Sequence, residues 1–307
     1  MEIKLNLFIF EECNINKITL KNIDSYIFSD KIIPKSFYKN KLTNLTKQKK
    51  ISLYCEDKLN NLLCSNNYKN FLEQFNYIVE IDDIHPDYLI YDVFGCKHTH
   101  KKYKNSIKIA SYSENIIPDF SEADYSVSQA HIIYLDRYFK YPSFIWRLRK
   151  LKKFFGSTIG DFIKNKNKTK FCAAVISNAN KNSLFRIKFI KKLNKYKKID
   201  MGGGYHNNVG GTVKYKISFL SEYKFSISME NTCGDGYLSE KIIDSLIAGT
   251  IPIYYGDYLV DEYINPKTYI LIKDEKDIKS KIENIKKIDN NNNKYLNISI
   301  IYKRKNF

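Results

Sequence analysis

The segment from Met229 to Lys241 carries glycines and charged residues at a spacing that suits a phosphate-bearing ligand. It reads MENTCGDGYLSEK, where an apolar strand pattern ends and a helical pattern begins near Leu238. Gly234 and Gly236 permit positive φ angles and a close approach of the backbone to a ligand. A helix that starts after such a turn presents free N–H groups and the positive end of its dipole, and both favour a diphosphate.

Three charged residues could act on such a ligand. Lys241 falls in the first turn of the predicted helix, where the dipole disfavours a cation unless a bound anion compensates; a solvated surface lysine is the alternative. Glu240 beside it is consistent with a capping contact or with binding of hydroxyl groups. Arg186, on another predicted helix, has a planar guanidinium that can grip phosphate oxygens in a fork.

Short apolar runs that alternate with helical or polar stretches indicate the elements that position these residues. In the first half, strands are predicted at 2–10, 51–55, 88–94, 107–111 and 125–128, with a helix within 59–77. In the second half, strands are predicted at 171–176, 225–229, 251–255 and 269–272, with helices at 185–193, 238–248 and up to about 288. This alternation is typical of parallel α/β sheets. We expect two Rossmann-like domains, 1–150 and 151–307, facing across a cleft.

The chain is strongly basic, with 51 Lys and Arg against 33 Asp and Glu and a formal net charge of +18. One interpretation is a nucleic-acid-binding protein. The other is compositional, because Lys, Asn, Ile and Tyr are all abundant and the basic residues form scattered pairs such as Lys49-Lys50 rather than one stripe. We favour the second and expect no nucleic-acid partner. A basic surface would still steer an anionic ligand towards the protein.

The cysteines and the lengths of the apolar runs indicate in which cellular compartment the protein is expected. None of the six cysteines forms a CxxC pair, which argues against a zinc ribbon and favours reduced thiols. The N-terminal residues alternate as in a strand, and no apolar run of about 18 residues is present to span a membrane. We therefore expect a cytoplasmic protein with no signal peptide and no transmembrane segment.

Residues 223–256 resemble the donor-binding signature of the α-1,3-fucosyltransferases, glycosyltransferase family 10. The matching blocks are Tyr223-Lys224-Phe225, Glu230-Asn231-Thr232, 236–244 and 249–256. Ser239 replaces the usual Thr and keeps the hydroxyl. Weaker similarity extends over roughly 86–290, through Ser177-Asn178-Ala179-Asn180 with Arg186 and through Ser113-Glu114-Asn115 and Asp136-Arg137-Tyr138, with Ser113 in place of the usual Gly.

The resemblance implies a GT-B fold and an inverting reaction. L-Fucose would move from GDP-β-L-fucose, held by the C-terminal domain, to a hydroxyl of an oligosaccharide or glycoconjugate acceptor, with O3 of GlcNAc or Glc the expected position. Glu114 would be the general base. The donor would be bound by Arg186, Asn231, Tyr237, Glu240 and Lys241, and Glu230 is interpreted as a buried structural carboxylate.

Three alternatives stay open at this stage. They are a GT-B transferase that uses another nucleotide sugar, a basic nucleic-acid-binding protein, and a lectin-like relative without catalysis.

The sequence also predicts catalysis without a metal or other cofactor. No D-x-D triplet occurs, and His98 and His100 have no nearby carboxylate pair. Transfer of the sugar should therefore continue in excess EDTA, because side-chain cations and a helix N-terminus would stabilise the leaving diphosphate. The rate of GDP release with and without EDTA measures this. Complete loss of the rate on chelation, with recovery on addition of Mn²⁺, would contradict the prediction.

Overall fold

A computed structural model describes residues 49–56, 61–73, 77–92, 99–144, 147, 168–177 and 183–291. The described residues up to Tyr141 belong to one compact unit and those from Pro142 onwards to a second. The predicted strand at 2–10 and the predicted boundary at 150 lie outside the described residues. Within them, no helix is long and apolar enough to cross a bilayer.

The first unit contains a parallel sheet whose described strands have the order β2-β1-β3-β4-β5-β6. The strands are β1 (Lys49–Glu56), β2 (Tyr77–Ile81), β3 (Tyr88–Tyr91), β4 (Ile107–Ser111), β5 (Tyr125–Ser128) and β6 (Tyr138–Lys140), with helix α1 (Asn61–Glu73) between β1 and β2. All four residues of β3 are buried, which is typical of a central strand in a sheet covered on both faces. Residues of β2 alternate between buried and more exposed positions, which suits a strand at the edge of the sheet.

The second unit contains another parallel sheet, with the described order β11-β10-β9-β7-β8. Its strands are β7 (Lys170–Ala174), β8 (Ile199–Met201), β9 (Tyr223–Met229), β10 (Ile251–Tyr255) and β11 (Ile270–Leu271). Its helices are α2 (Leu184–Leu193), α3 (Lys216–Leu220), α4 (Glu240–Ile247) and α5 (Asp277–Asp289). Because β8 and β9 lie on opposite sides of β7, the strand order reverses between β7 and β9, and ligands bind open α/β sheets at such a point.

Apolar faces of the helices and a few buried hydroxyl groups hold the second sheet together. The isoleucines of the Lys-rich helix α5 recur every three or four residues, and Ile278, Ile282, Ile285 and Ile288 are all buried. The hydroxyl of Ser228 on β9 lies 2.7 Å from that of Ser245 on α4. The paired hydroxyls satisfy each other, so neither of them is left unpaired where α4 packs on β9.

The predicted two-unit parallel α/β architecture is confirmed. The predicted bounds of β4, β5 and β10 match the structure, and those of β1, α2 and α4 differ by a few residues. Four short elements were not predicted from the sequence: β2, β6, β8 and α3. β6 and β8 have three residues each, too few for a period to be recognised.

The expectation of reduced cysteines is wrong for one pair. Cys55 on β1 and Cys64 on α1 form a disulfide with their Cα atoms 5.8 Å apart. The backbone N–H of Cys55 also donates to Ser65 Oγ at 2.9 Å, so the start of α1 is tied to the end of β1. Sequence spacing could not predict this pair, because packing of α1 against β1 decides which cysteines meet. Cys172 is a free buried thiol, as expected, and burial raises its pKa.

Loss of this disulfide should lower the stability of the protein. The bridged cysteines are 9 positions apart, and closing a loop of that size in the unfolded chain is worth about 2–3 kcal/mol. We expect dithiothreitol to lower the melting temperature of the wild-type protein. The double variant Cys55→Ala, Cys64→Ala is the control, since its melting temperature should be low already and insensitive to the reductant. Equal melting temperatures for oxidised and reduced wild type would contradict this expectation.

Candidate functional site

The candidate site lies at the carboxyl ends of β7, β9 and β10, where the strand order of the second sheet reverses. Residues 230–239 connect β9 to α4 and include the turn in which Gly236 adopts a φ of +91°. Tyr237 N–H donates to the Gly234 carbonyl at 2.9 Å and closes this turn. The tyrosine itself is buried, and Asn231 is partly exposed at the start of the connection.

The connection is organised by the carboxylate of Glu230, which is 0% exposed. Its Oε1 accepts hydrogen bonds from the backbone N–H of Ser239 at 3.1 Å and from Ser239 Oγ at 2.5 Å. Its Oε2 accepts from Lys241 Nζ at 2.6 Å. Both oxygens of the buried carboxylate are therefore paired, and they tie the end of β9 to the start of α4. This placement agrees with the structural role expected for Glu230.

Ser239 is the N-cap of α4. Its backbone is extended, with φ −92° and ψ −173°, and its hydroxyl oxygen accepts from the backbone N–H of Lys241 at 3.4 Å. The same oxygen accepts from Lys241 Nζ at 3.0 Å. The hydroxyl kept at this position thus serves both the helix N-terminus and Glu230.

Lys241 is held in place and remains charged. Its side chain is 23% exposed. Burial acts to lower the pKa of its ammonium group, but the negative charges of Glu230 and Glu240 outweigh burial and raise the pKa. A protonated amine with partial exposure at a helix N-terminus can donate to an anion while Glu230 keeps it oriented.

Arg186 brings a second cation to the end of β9 from α2. It is 2% exposed, its Nη1 donates to the Met229 carbonyl at 3.1 Å, and its Nη2 donates to Ser183 Oγ at 3.2 Å. Burial lowers the pKa of the guanidinium, and the charge of Glu230 counteracts that effect. The structure therefore brings Arg186, Lys241 and Glu230 together in one cluster, rather than leaving Arg186 on the surface.

Glu240 lies beside this cluster with 44% of its side chain exposed. Its Oε1 is 4.0 Å from Lys241 Nζ and 4.0 Å from Lys216 Nζ. Burial acts to raise the pKa of Glu240, but the two lysines outweigh it, so the pKa lies below its ordinary value. The carboxylate is therefore ionised at neutral pH and can accept hydrogen bonds from hydroxyl groups.

Gly256, at the end of β10, is required by close packing. A Cβ atom there would lie 2.4 Å from Tyr254 Oη and 2.8 Å from Glu230 Cγ, both well inside contact distance. The Gly256 carbonyl also accepts a hydrogen bond from Cys233 Sγ at 2.6 Å. The matching glycine of the motif thus leaves room for the buried Glu230 side chain, a function that spacing alone did not assign.

Glu114 lies in the first unit, on the loop after β4 and so at the carboxyl end of that strand. The residue is exposed. Its loop is anchored on both sides: Gln129 Nε2 donates to the Ser113 carbonyl, and Arg137 Nη2 donates to the Ala123 carbonyl at 2.7 Å. In the described residues the strand order of this sheet reverses between β1 and β3, so Glu114 is not at that point.

Of the two histidines considered as metal ligands, the structure describes only His100. His98 lies outside the described residues. His100 is buried, stacks on Tyr91 with ring centroids 4.3 Å apart, and its Nε2 lies 3.0 Å from Glu122 Oε2. Across the described part of the chain, no group of three or more His, Cys, Asp or Glu side chains is arranged to hold a metal ion.

Two parallel α/β units make up the GT-B fold of glycosyltransferases, which is the fold expected from the sequence. Two family profiles match the chain: "Alpha-(1,3)-fucosyltransferase FucT N-terminal domain" over residues 55–147 and "Glycosyltransferase family 10 (fucosyltransferase) C-term" over residues 165–299. The matches fall in both units. The chain therefore belongs to the α-1,3-fucosyltransferase family, glycosyltransferase family 10.

Individual relatives agree with this assignment. Alpha-(1,3)-fucosyltransferase FucT of Helicobacter pylori is 30% identical over 224 residues, which are 64% of this chain and 47% of the relative. The chain thus aligns with about half the length of that protein. A crystal structure of an alpha1,3-fucosyltransferase matches with a TM-score of 0.73 at 24% identity, covering 92% of this chain and 88% of its own. The structure of an alpha1,3-fucosyltransferase with GDP-fucose matches with a TM-score of 0.69 at 24% identity, covering 83% and 82%.

The double role of Ser239 predicts how substitutions there behave. Ser239→Ala removes the N-cap acceptor and one hydrogen bond to buried Glu230, so it should cost about 1–3 kcal/mol of unfolding free energy. Ser239→Thr is the matched control, because threonine keeps the hydroxyl and caps helices nearly as well. Urea unfolding curves of the two variants and the wild type measure the difference. Equal stability of Ser239→Ala and Ser239→Thr would show that the hydroxyl contributes nothing.

Proposed function

We propose that the chain is an inverting fucosyltransferase that moves L-fucose from GDP-β-L-fucose to a hydroxyl of a glycan acceptor. The main support is the cluster at the start of α4. Lys241 pairs with the buried carboxylate of Glu230, and Arg186, which donates to the Met229 carbonyl, interacts electrostatically with the same carboxylate. Two cations beside a helix N-terminus suit a diphosphate. Membership of the fucosyltransferase family supports fucose as the sugar and guanosine as the nucleoside.

The cations would stabilise the leaving group. As the C1–O bond of fucose breaks, its electron pair passes to the diphosphate of GDP, and Lys241 can neutralise the charge that develops there. Arg186 adds a second positive charge from α2. Because both side chains are already oriented by hydrogen bonds, little reorganisation is required during the reaction. This arrangement supplies positive charge without a metal ion, in line with the proposed metal independence.

Other residues of the site would recognise the donor. Glu240 is ionised and partly exposed, so it can accept hydrogen bonds from hydroxyl groups of the ribose or of fucose, or offset positive charge at the anomeric carbon. Asn231 and Tyr237 would shape the pocket from the connection between β9 and α4. Their roles follow from the resemblance of the motif and from their position in this connection.

Inversion in a single displacement also needs a base for the acceptor hydroxyl. We assign this role to Glu114, by resemblance of its loop and by its position after β4. Its carboxylate would take the hydroxyl proton as the acceptor oxygen bonds to C1 of fucose from the face opposite the diphosphate. We propose O3 of GlcNAc or Glc as the acceptor position, in line with the name of the α-(1,3)-specific bacterial relative.

Nucleotide selectivity tests the proposed donor. GDP should raise the melting temperature, because a ligand that binds only the native state stabilises it. UDP at the same concentration is the control and should have a smaller effect. With GDP-fucose and a panel of oligosaccharides, GDP should be released in an acceptor-dependent way. Stabilisation by UDP without stabilisation by GDP would refute the assignment of the donor.

Substitution of Glu114 tests the base. Glu114→Gln keeps the size of the side chain but cannot accept the proton, so kcat should fall by about 10²–10⁴-fold. GDP affinity, measured by calorimetry, should be unchanged, because the residues proposed to hold the donor are in the second unit. Glu114→Asp serves as the control, since it keeps a carboxylate and should retain more activity than the glutamine variant. A normal kcat for Glu114→Gln would place the base elsewhere.

A further inference from the structure

Lys216, the first residue of α3, contacts two carboxylates of α4. Its Nζ lies 2.9 Å from Asp244 Oδ2 and 4.0 Å from Glu240 Oε1. Glu240 and Asp244 are four positions apart on a helix, so their side chains occupy the same face. One cation on a neighbouring helix can therefore hold both, and the lysine side chain is only 24% exposed.

Asp244 fixes the position of this lysine. Its side chain is 1% exposed, and its second oxygen, Oδ1, accepts from Arg147 Nε at 2.7 Å. A buried carboxylate is stable only when it is paired, so the contact with Lys216 is maintained by the cost of leaving Asp244 without that partner. Arg147 neutralises the same carboxylate, which leaves positive charge on Lys216 available to Glu240.

Glu240 consequently lies between two lysines, each oriented by a different buried carboxylate. Lys241 Nζ is 2.6 Å from Glu230 and Lys216 Nζ is 2.9 Å from Asp244, and both are 4.0 Å from Glu240 Oε1. Neither lysine makes its shortest contact with Glu240. Both lysines place positive charge near Glu240, the only one of these three carboxylates that is substantially exposed.

We propose that Lys216 is a positioning residue that keeps Glu240 in place as an ionised hydrogen-bond acceptor for the ribose hydroxyl groups of the nucleotide sugar. The inference rests on the proposed function, because it assigns Glu240 to the donor. It adds a residue from outside the motif, on a helix that the sequence did not predict. Lys216 acts through Glu240 and itself need not touch the ligand.

The electrostatic environment of Glu240 supports this role. Burial acts to raise the pKa of Glu240, and Lys241, then Lys216, lower it below the ordinary value. Among the described residues, these two lysines are the charged groups that face Glu240. Lys241 is also paired with Glu230, and Lys216 with Asp244. Without Lys216, one of the lowering charges is lost and burial gains weight, so the pKa of Glu240 rises. Protonation, and with it loss of the acceptor, then begins at a higher pH.

The pH dependence of GDP binding tests the proposal. GDP affinity of Lys216→Met is compared with that of the wild type by calorimetry between pH 5 and pH 8, and the ratio of the two dissociation constants cancels the titration of GDP itself. We expect the ratio to be smallest at pH 8 and to grow as the pH falls towards 5, because Glu240 becomes protonated at a higher pH in the variant than in the wild type. Lys216→Arg is the matched control and should keep the ratio near one throughout.

A purely structural role for Lys216 makes a different prediction. Loss of the contact with Asp244 alone would weaken GDP binding by the same factor at every pH. The double variant Lys216→Met, Asp244→Asn removes the buried charge as well, and it keeps the test usable if Lys216→Met does not fold; its ratio should still grow towards pH 5. A ratio that is independent of pH in both variants overturns the inference. If the wild type does not bind GDP at all, the proposed function fails and the inference with it.

Discussion

The pairing of one buried carboxylate, Glu230, organises the candidate site. A charge without solvent must be neutralised and hydrogen-bonded, and Lys241 and Ser239 satisfy this requirement. In doing so they fix where α4 begins relative to β9. Gly256 provides the space, because any Cβ there would collide with Glu230. The buried contacts of Glu230 thus hold the helix N-terminus at the carboxyl end of the sheet. Substitution of Ser239, Lys241 or Gly256 would disturb them.

Positive charge at this helix start exceeds what structure alone requires. Four cations interact with three carboxylates here, and the helix dipole adds to the excess of positive charge. The cations are Arg186, Lys241, Lys216 and Arg147, and the carboxylates are Glu230, Glu240 and Asp244. Because hydrogen bonds orient the cations in advance, an arriving anion meets charges already in position. Such preorganisation is the usual source of transition-state stabilisation when a leaving group gains negative charge.

The first unit shows a different design, in which backbone contacts shape the loops. Arg137 donates to the carbonyls of Phe120, Ala123 and Asp124, and Gln129 donates to that of Ser113. The Asp-Arg-Tyr block of the family motif therefore anchors the chain around the exposed Glu114. The proposed base on this solvated loop can meet an acceptor that arrives from solution, whereas Arg186 and Tyr237, which are proposed to bind the donor, are buried.

The sequence alone determined the local elements and the class of protein. Strands β4, β5 and β10 follow from short apolar runs, and the motif at 223–256 identified the family, because glycines, caps and charges at fixed spacing reflect local geometry. Only the tertiary structure decided which side chains meet. The disulfide of Cys55 and Cys64, the burial of Arg186 against β9 and the approach of Lys216 to Glu240 all join separate elements. Those contacts depend on how helices pack on the sheets, which periodicity does not encode.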